Sequence, residues 1–92
     1  MTVNLYATLR QLAGSRQVEV QLPPGSTLNQ LIAELTVRYP GLRSEMLDPD
    51  GNLYQHIHVF VNGRDSLFLD GSLNLVLASG DTISIFPPVG GG

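Results

Sequence analysis

Neither cysteine nor lysine occurs among the 92 residues. Without cysteine there is no disulfide, no thiolate zinc site and no cysteine nucleophile. Without lysine no Schiff base can form, and no side-chain amine is available for modification. Positive charge is scarce too: five arginines stand against eight acidic residues, for a net charge of −3. That balance removes the long-range attraction on which non-specific nucleic-acid binding depends, and it disfavours an anionic membrane surface. No apolar run approaches the roughly 20 residues of a membrane span. The start, Met1-Thr2-Val3-Asn4, shows no basic region leading into an apolar stretch. No signal peptide is therefore expected, and the cytoplasm is the expected compartment. There is no glycine-rich nucleotide loop either.

The residues present suit one small domain. Hydrophobic residues make up 42% and charged residues 14%, enough for a packed core and unlike a disordered chain. Val3, Leu5 and Ala7 alternate with polar neighbours, as do Val18, Val20 and Leu22, so both stretches read as half-buried strands forming a hairpin. Leu9 to Ala13 fits a helical turn stopped by Gly14. Thr27 and Gln30 have capping-box spacing, and Leu28, Leu31, Ile32, Leu35 and Tyr39 share one helical stripe. Pro40-Gly41 closes that helix, Leu42 to Leu47 fits a further short turn, and Asp48-Pro49-Asp50-Gly51 is a turn. His56 to Val61 reads as a strand, Asn62-Gly63 as a hairpin turn, and Arg64 to Leu69 as a returning edge strand. Thr82 to Phe86 is the last strand, with Ile83 and Ile85 inward and Pro87-Pro88 ending it. One amphipathic helix for one sheet implies an α+β fold of two layers, with the helix across the apolar face.

The unusual feature is the exit from that strand, Pro87-Pro88-Val89-Gly90-Gly91-Gly92. Two prolines stiffen the departure, and three glycines leave the end of the chain without side-chain bulk. Six such residues reach roughly 20 Å when extended. They can thread a narrow channel and present the carboxylate of Gly92 uncrowded. The rival reading is a frayed end, which composition alone favours; the preceding Gly80-Asp81 strand and the Pro-Pro-Val context argue against it.

Gly80-Asp81-Thr82-Ile83-Ser84-Ile85-Phe86-Pro87-Pro88-Val89-Gly90-Gly91-Gly92 resembles the closing segment of the MoaD/ThiS family of ubiquitin-like sulfur carriers. The likeness extends through the opening from Val3 to Leu12, the Pro-Gly-Ser-Thr-Leu helix start, Tyr39-Pro40-Gly41-Leu42 and Phe60-Val61-Asn62-Gly63. It implies a ubiquitin-like β-grasp: a mixed sheet of four to five strands with one main helix packed on one face. The domain would span residues 1–86, and 87–92 would be a flexible tail.

The resemblance also implies a chemistry. An E1-like enzyme adenylates the terminal glycine with ATP and magnesium, which the partner and not this chain would bind. A sulfur donor then converts the adenylate to a thiocarboxylate for a sulfur-accepting enzyme. Carried over by position, Gly92 is the modified residue and Gly91 belongs to the threaded pair. Phe86, Pro87, Pro88 and Val89 form the docking segment, and Gly90 leads into the threaded glycines. The Phe-Pro-Pro-Val segment looks like the molybdopterin type, so the large subunit of molybdopterin synthase is the expected acceptor. On that reading the chain is not catalytic alone and takes an enzyme name only as a synthase subunit. The long stretch from Arg64 to Ser79 and the Asp48-to-Gly51 loop instead resemble carriers for cysteine synthesis or tRNA thiolation, with thiamine synthesis a further destination. A modifier joined to other proteins through Gly92 is the rival, and without lysine it could not build conventional polymers.

Several side chains outside the tail could also carry chemistry. His56 and His58 are expected on one strand face but lack a third ligand, so no metal site is expected. Phe60 and Phe86 should face away from the helix as a partner-binding patch, unless the segment from Arg64 to Leu77 covers them. Arg10, Arg38, Arg43 and Arg64 read as solvated, with Arg64 placed to meet an acidic partner.

Overall fold

A computed structural model describes residues 1–87. The elements are β1 (Thr2–Leu5), α1 (Thr8–Ala13), β2 (Gln17–Glu19), α2 (Leu28–Arg38), α3 (Arg43–Met46), β3 (His58–Val61), β4 (Arg64–Asp65) and β5 (Ile83–Phe86). The sheet runs β2-β1-β5-β3-β4. β1 pairs antiparallel with β2, Val3 opposite Val18, and parallel with β5, Val3 opposite Ile83. β3 pairs antiparallel with β5, Val59 opposite Ile85. A mixed five-stranded sheet with one long helix is the expected β-grasp.

Period-two alternation decides the two faces. Val3, Leu5, Val18, Val59, Val61, Ile83 and Ile85 are all buried on one side, against Leu28, Leu31, Ile32 and Leu35 of α2. Each such side chain contributes roughly 1.5–3 kcal/mol of transfer free energy. α2 starts as its sequence dictates: Thr27 Oγ1 accepts from the Gln30 N–H at 3.3 Å, and Gln30 Oε1 accepts from the Thr27 N–H at 2.8 Å. Beyond Tyr39 the chain continues through a 3-10 turn, Pro40–Leu42, into α3. Asp48 Oδ1 then accepts from the N–H groups of Asp50 and Asn52, fixing the turn expected there.

Three strand expectations differ from the structure, the first being Ala7, which lies exposed beyond the end of β1 at φ 52°. β3 begins at His58, not His56, because the Ile57 N–H turns back to the Tyr54 carbonyl and the His56 ring stacks on Tyr54 at 4.9 Å. The edge strand expected over Arg64 to Leu69 stops at Asp65. There the Asp65 carboxylate accepts from the Leu67 N–H at 3.0 Å and caps a 3-10 turn, Ser66–Phe68. The chain then returns to the helix side, where the Leu28 N–H donates to the Leu75 carbonyl and the Leu77 N–H to the Ser26 carbonyl.

A side-chain clasp ties the β3–β4 turn to the start of β5. Asn62, at φ +53°, donates from Nδ2 to Asp81 Oδ1 and accepts at Oδ1 from the Thr82 N–H, both at 2.9 Å. Asp81 Oδ2 in turn accepts from the Ala78 N–H at 2.7 Å. Both the Asn-Gly turn and the Gly-Asp approach to β5 thus serve one junction.

Candidate functional site: the open sheet face and the exit of β5

The face away from α2 carries the residues that alternate outward. Phe86 of β5 lies between two rings, stacked on Tyr6 with centroids 4.2 Å apart and meeting Phe60 edge-on at 5.2 Å. Such pairs contribute about 0.5–1.5 kcal/mol each beyond area burial. The row Phe60–Phe86–Tyr6 is only half-buried, since the segment from Arg64 to Leu77 runs to the helix side and leaves it open. Phe60 and Phe86 therefore lie where the alternation put them. Tyr6 completes the row; it comes after Thr2 and Asn4 on the outward positions of β1, and that alternation was the signal for it.

The row ends differently on its two sides. Beyond Phe60, His58 Nδ1 hydrogen-bonds Asp65 Oδ2 at 3.2 Å. His56 lies in the preceding turn and is not on the strand face with His58. Among the described residues no group of three His, Cys, Asp or Glu side chains is placed to hold a metal ion. Beyond Tyr6, the Arg10 guanidinium carbon is 5.9 Å from the Tyr6 centroid, and its Nε donates to the Leu5 carbonyl at 3.4 Å. Arg10 is thus held against the face, where the sequence suggested a solvated side chain. Ala7, between Tyr6 and α1, adopts φ 52° and ψ −127°. That conformation is strained for a residue with a Cβ, and it turns the chain so that α1 comes directly after Tyr6.

Phe86 ends β5 in the sheet's interior, and Pro87 after it is buried. The exit to the expected tail thus leaves from beside the aromatic row. Pro88, Val89, Gly90, Gly91 and Gly92 lie outside the described residues. A surface depression of about 310 Å³, lined by Met1, Pro23, Pro24 and Leu77 among others, sits by the start of β1 and so at the opposite end of the sheet from Phe86.

Fold, open aromatic face and the Pro-Pro-Val-Gly-Gly-Gly sequence together define a ubiquitin-like protein of the sulfur-carrier and modifier class. The ThiS family model matches residues 3–92, so the chain belongs to the ThiS family. Small archaeal modifier protein 1 of Haloferax volcanii is 37% identical over 92 residues, spanning all of both chains. A crystal structure of that protein has a TM-score of 0.89 to this one, at 36% identity, covering 99% of this chain and 97% of that one. CysO in the Amycolatopsis orientalis BexX/CysO complex is similar at TM-score 0.80 and 32% identity, over 99% of this chain and 98% of that one. A putative molybdopterin converting factor subunit 1 from Pyrococcus furiosus gives TM-score 0.73 and 33% identity, over 96% and 95% of the two chains.

Proposed function

We propose that this chain is a sulfur carrier whose working group is the carboxylate of Gly92. The observation that carries the reading is the family match running through Gly92, together with the full-length alignment to small archaeal modifier protein 1. The reactivity of a carboxylate sets the chemistry. A carboxylate resists nucleophiles because its leaving group would be oxide. An ATP-dependent E1-like enzyme, using magnesium, removes that obstacle: a Gly92 oxygen attacks the α-phosphorus and pyrophosphate departs. Hydrosulfide then attacks the carbonyl carbon, AMP leaves with the bonding pair, and a thiocarboxylate remains. Having no cysteine, the chain offers no thiol to divert the sulfur. Gly90 and Gly91, without side chains, suit entry into a narrow site, and Phe60, Phe86, Pro88 and Val89 offer the partner apolar surface.

The acceptor is a sulfur-accepting enzyme. The Phe86-Pro87-Pro88-Val89 segment favours a molybdopterin synthase large subunit. Similarity to proteins named as modifier, CysO and molybdopterin converting factor does not choose among acceptors, so cysteine, thiamine and tRNA thiolation stand as alternatives. The identity to small archaeal modifier protein 1 favours a second outlet, conjugation through Gly92 to lysines of other proteins. Intact mass after incubation with ATP, magnesium, the activating enzyme of the same organism and sulfide tests the reading. Exchange of one oxygen for sulfur, absent when Gly92 is deleted, is the expected result. No exchange with an enzyme that activates its other carriers overturns it, and mass appearing on lysines of added proteins identifies the modifier outlet.

A further inference from the structure

Two arginines stand together at the Tyr6 end of the aromatic row. Arg10 and Arg16 line a surface depression of about 410 Å³ together with Asn4, Leu5, Tyr6 and Gln17. Among the described residues the ion pairs of fixed charges are Met1–Glu19 and Arg38–Glu34, and neither Arg10 nor Arg16 takes part in one. The polar neighbours there are spent on each other, Gln17 Nε2 donating to Asn4 Oδ1 at 2.8 Å. At the far end of the row, Asp65 is occupied by His58 and by the Leu67 N–H. A chain of net charge −3 thus turns an uncompensated positive patch toward whatever meets the face beside its tail exit.

We propose that Arg10 and Arg16 form a carboxylate-docking site for an acidic patch on the activating enzyme. The proposal rests on the reading of Gly92 as the activated residue; that enzyme must recognise every carrier before any sulfur is transferred. Guanidinium groups suit the task because their planar forks match carboxylates in two parallel hydrogen bonds. Arg10 is partly preorganised by Tyr6 and the Leu5 carbonyl, so less rotamer freedom is lost on docking. Charges at the rim of an interface act mainly on encounter and orientation, so their removal falls on KM and on salt dependence more than on turnover.

The test is steady-state pyrophosphate release by the activating enzyme, with the carrier as varied substrate. Arg10→Gln and Arg16→Glu are each expected to raise KM about threefold, and the double variant roughly tenfold, with kcat unchanged. The double variant should also lose most of the decline of kcat/KM with salt seen in the wild type. Arg38→Glu, on α2 away from this face, is the control and should leave KM unchanged. Wild-type KM and salt dependence in the double variant overturn the docking site while leaving Gly92 chemistry intact. No pyrophosphate release from the wild type overturns the Gly92 reading and this one with it. Arg16 is exposed, so Arg16→Glu alone decides the matter if Arg10→Gln lowers the melting temperature.

Discussion

The clasp between Asn62 and Asp81 separates a side-chain contribution from a backbone one. Asn62→Gly keeps a residue content at φ +53° but removes the bond to Asp81 and the acceptor for the Thr82 N–H. Two hydrogen bonds at about 0.5–1.5 kcal/mol each put the cost near 2 kcal/mol. Asn62→Ala loses the same bonds and adds a Cβ in the left-handed region, for about 1 kcal/mol more. Asp81→Ala loses the Asn62 bond and the cap on the Ala78 N–H, again about 2 kcal/mol. Since Asn62 and Asp81 share a bond, the double variant should fall short of additivity by at least about 0.5 kcal/mol. Urea unfolding with a common m-value measures all of these, and 1 kcal/mol corresponds to roughly 4–8 °C in melting temperature for a domain of this size. Asn62→Gly within about 0.5 kcal/mol of wild type would refute the side-chain account, because surface substitutions without a role fall in that range. Equal stability of the Gly and Ala variants would refute the backbone account.

Thr27→Ala removes half of the capping box and should destabilise by about 1 kcal/mol, read as a lower urea midpoint; no change would mean that packing alone starts α2. Ala7→Gly should stabilise, because relief of about 1–3 kcal/mol of strain outweighs the 0.5–1 kcal/mol of added unfolded-state entropy, and a lower melting temperature would contradict it. Glu19 has its pKa lowered by the hydrogen bond from Thr2 and then by the Met1 amine. A depressed carboxylate contributes stability at neutral pH and loses it as pH falls below the ordinary value of 4.5 through the folded one. Glu19→Gln should therefore show a shallower acid loss of stability than wild type, and identical profiles would count against the pairing.

Legibility in the sequence tracked how local each cause is. The capping box of Thr27 and Gln30, the Leu28-to-Leu35 stripe, the Gly14 stop and the Ile83/Ile85 alternation all depend on residues a few positions apart, and each stands in the structure as its spacing implied. The edge strand stops short at Asp65 because the Asp65 carboxylate caps a turn that period-two alternation cannot register, leaving Phe68 86% exposed. His56 was lost to β3 through a ring stack with Tyr54, a contact that side-chain alternation does not encode. The sheet order was not legible, since nothing near Val3 specifies Ile83 as its parallel partner. For the same reason the alternation puts Tyr6 on the outward side without marking it as the third ring of the site, and it does not register the approach of Arg10 to that ring.

The parallel pairing of β1 with β5 has a consequence for how the chain is made. β5 occupies the middle of the sheet, between β1 and β3, yet it is the last strand among the described residues. Until Ile83 to Phe86 have been synthesised, β1 with β2 and β3 with β4 are two separate hairpins with no ladder joining them. The β1–β5 ladder joins segments about 80 residues apart, and proteins built on such distant contacts fold slowly. The ring that completes the aromatic row, Phe86, arrives with that same strand. A chain cut short anywhere before it has neither a finished sheet nor a finished aromatic row.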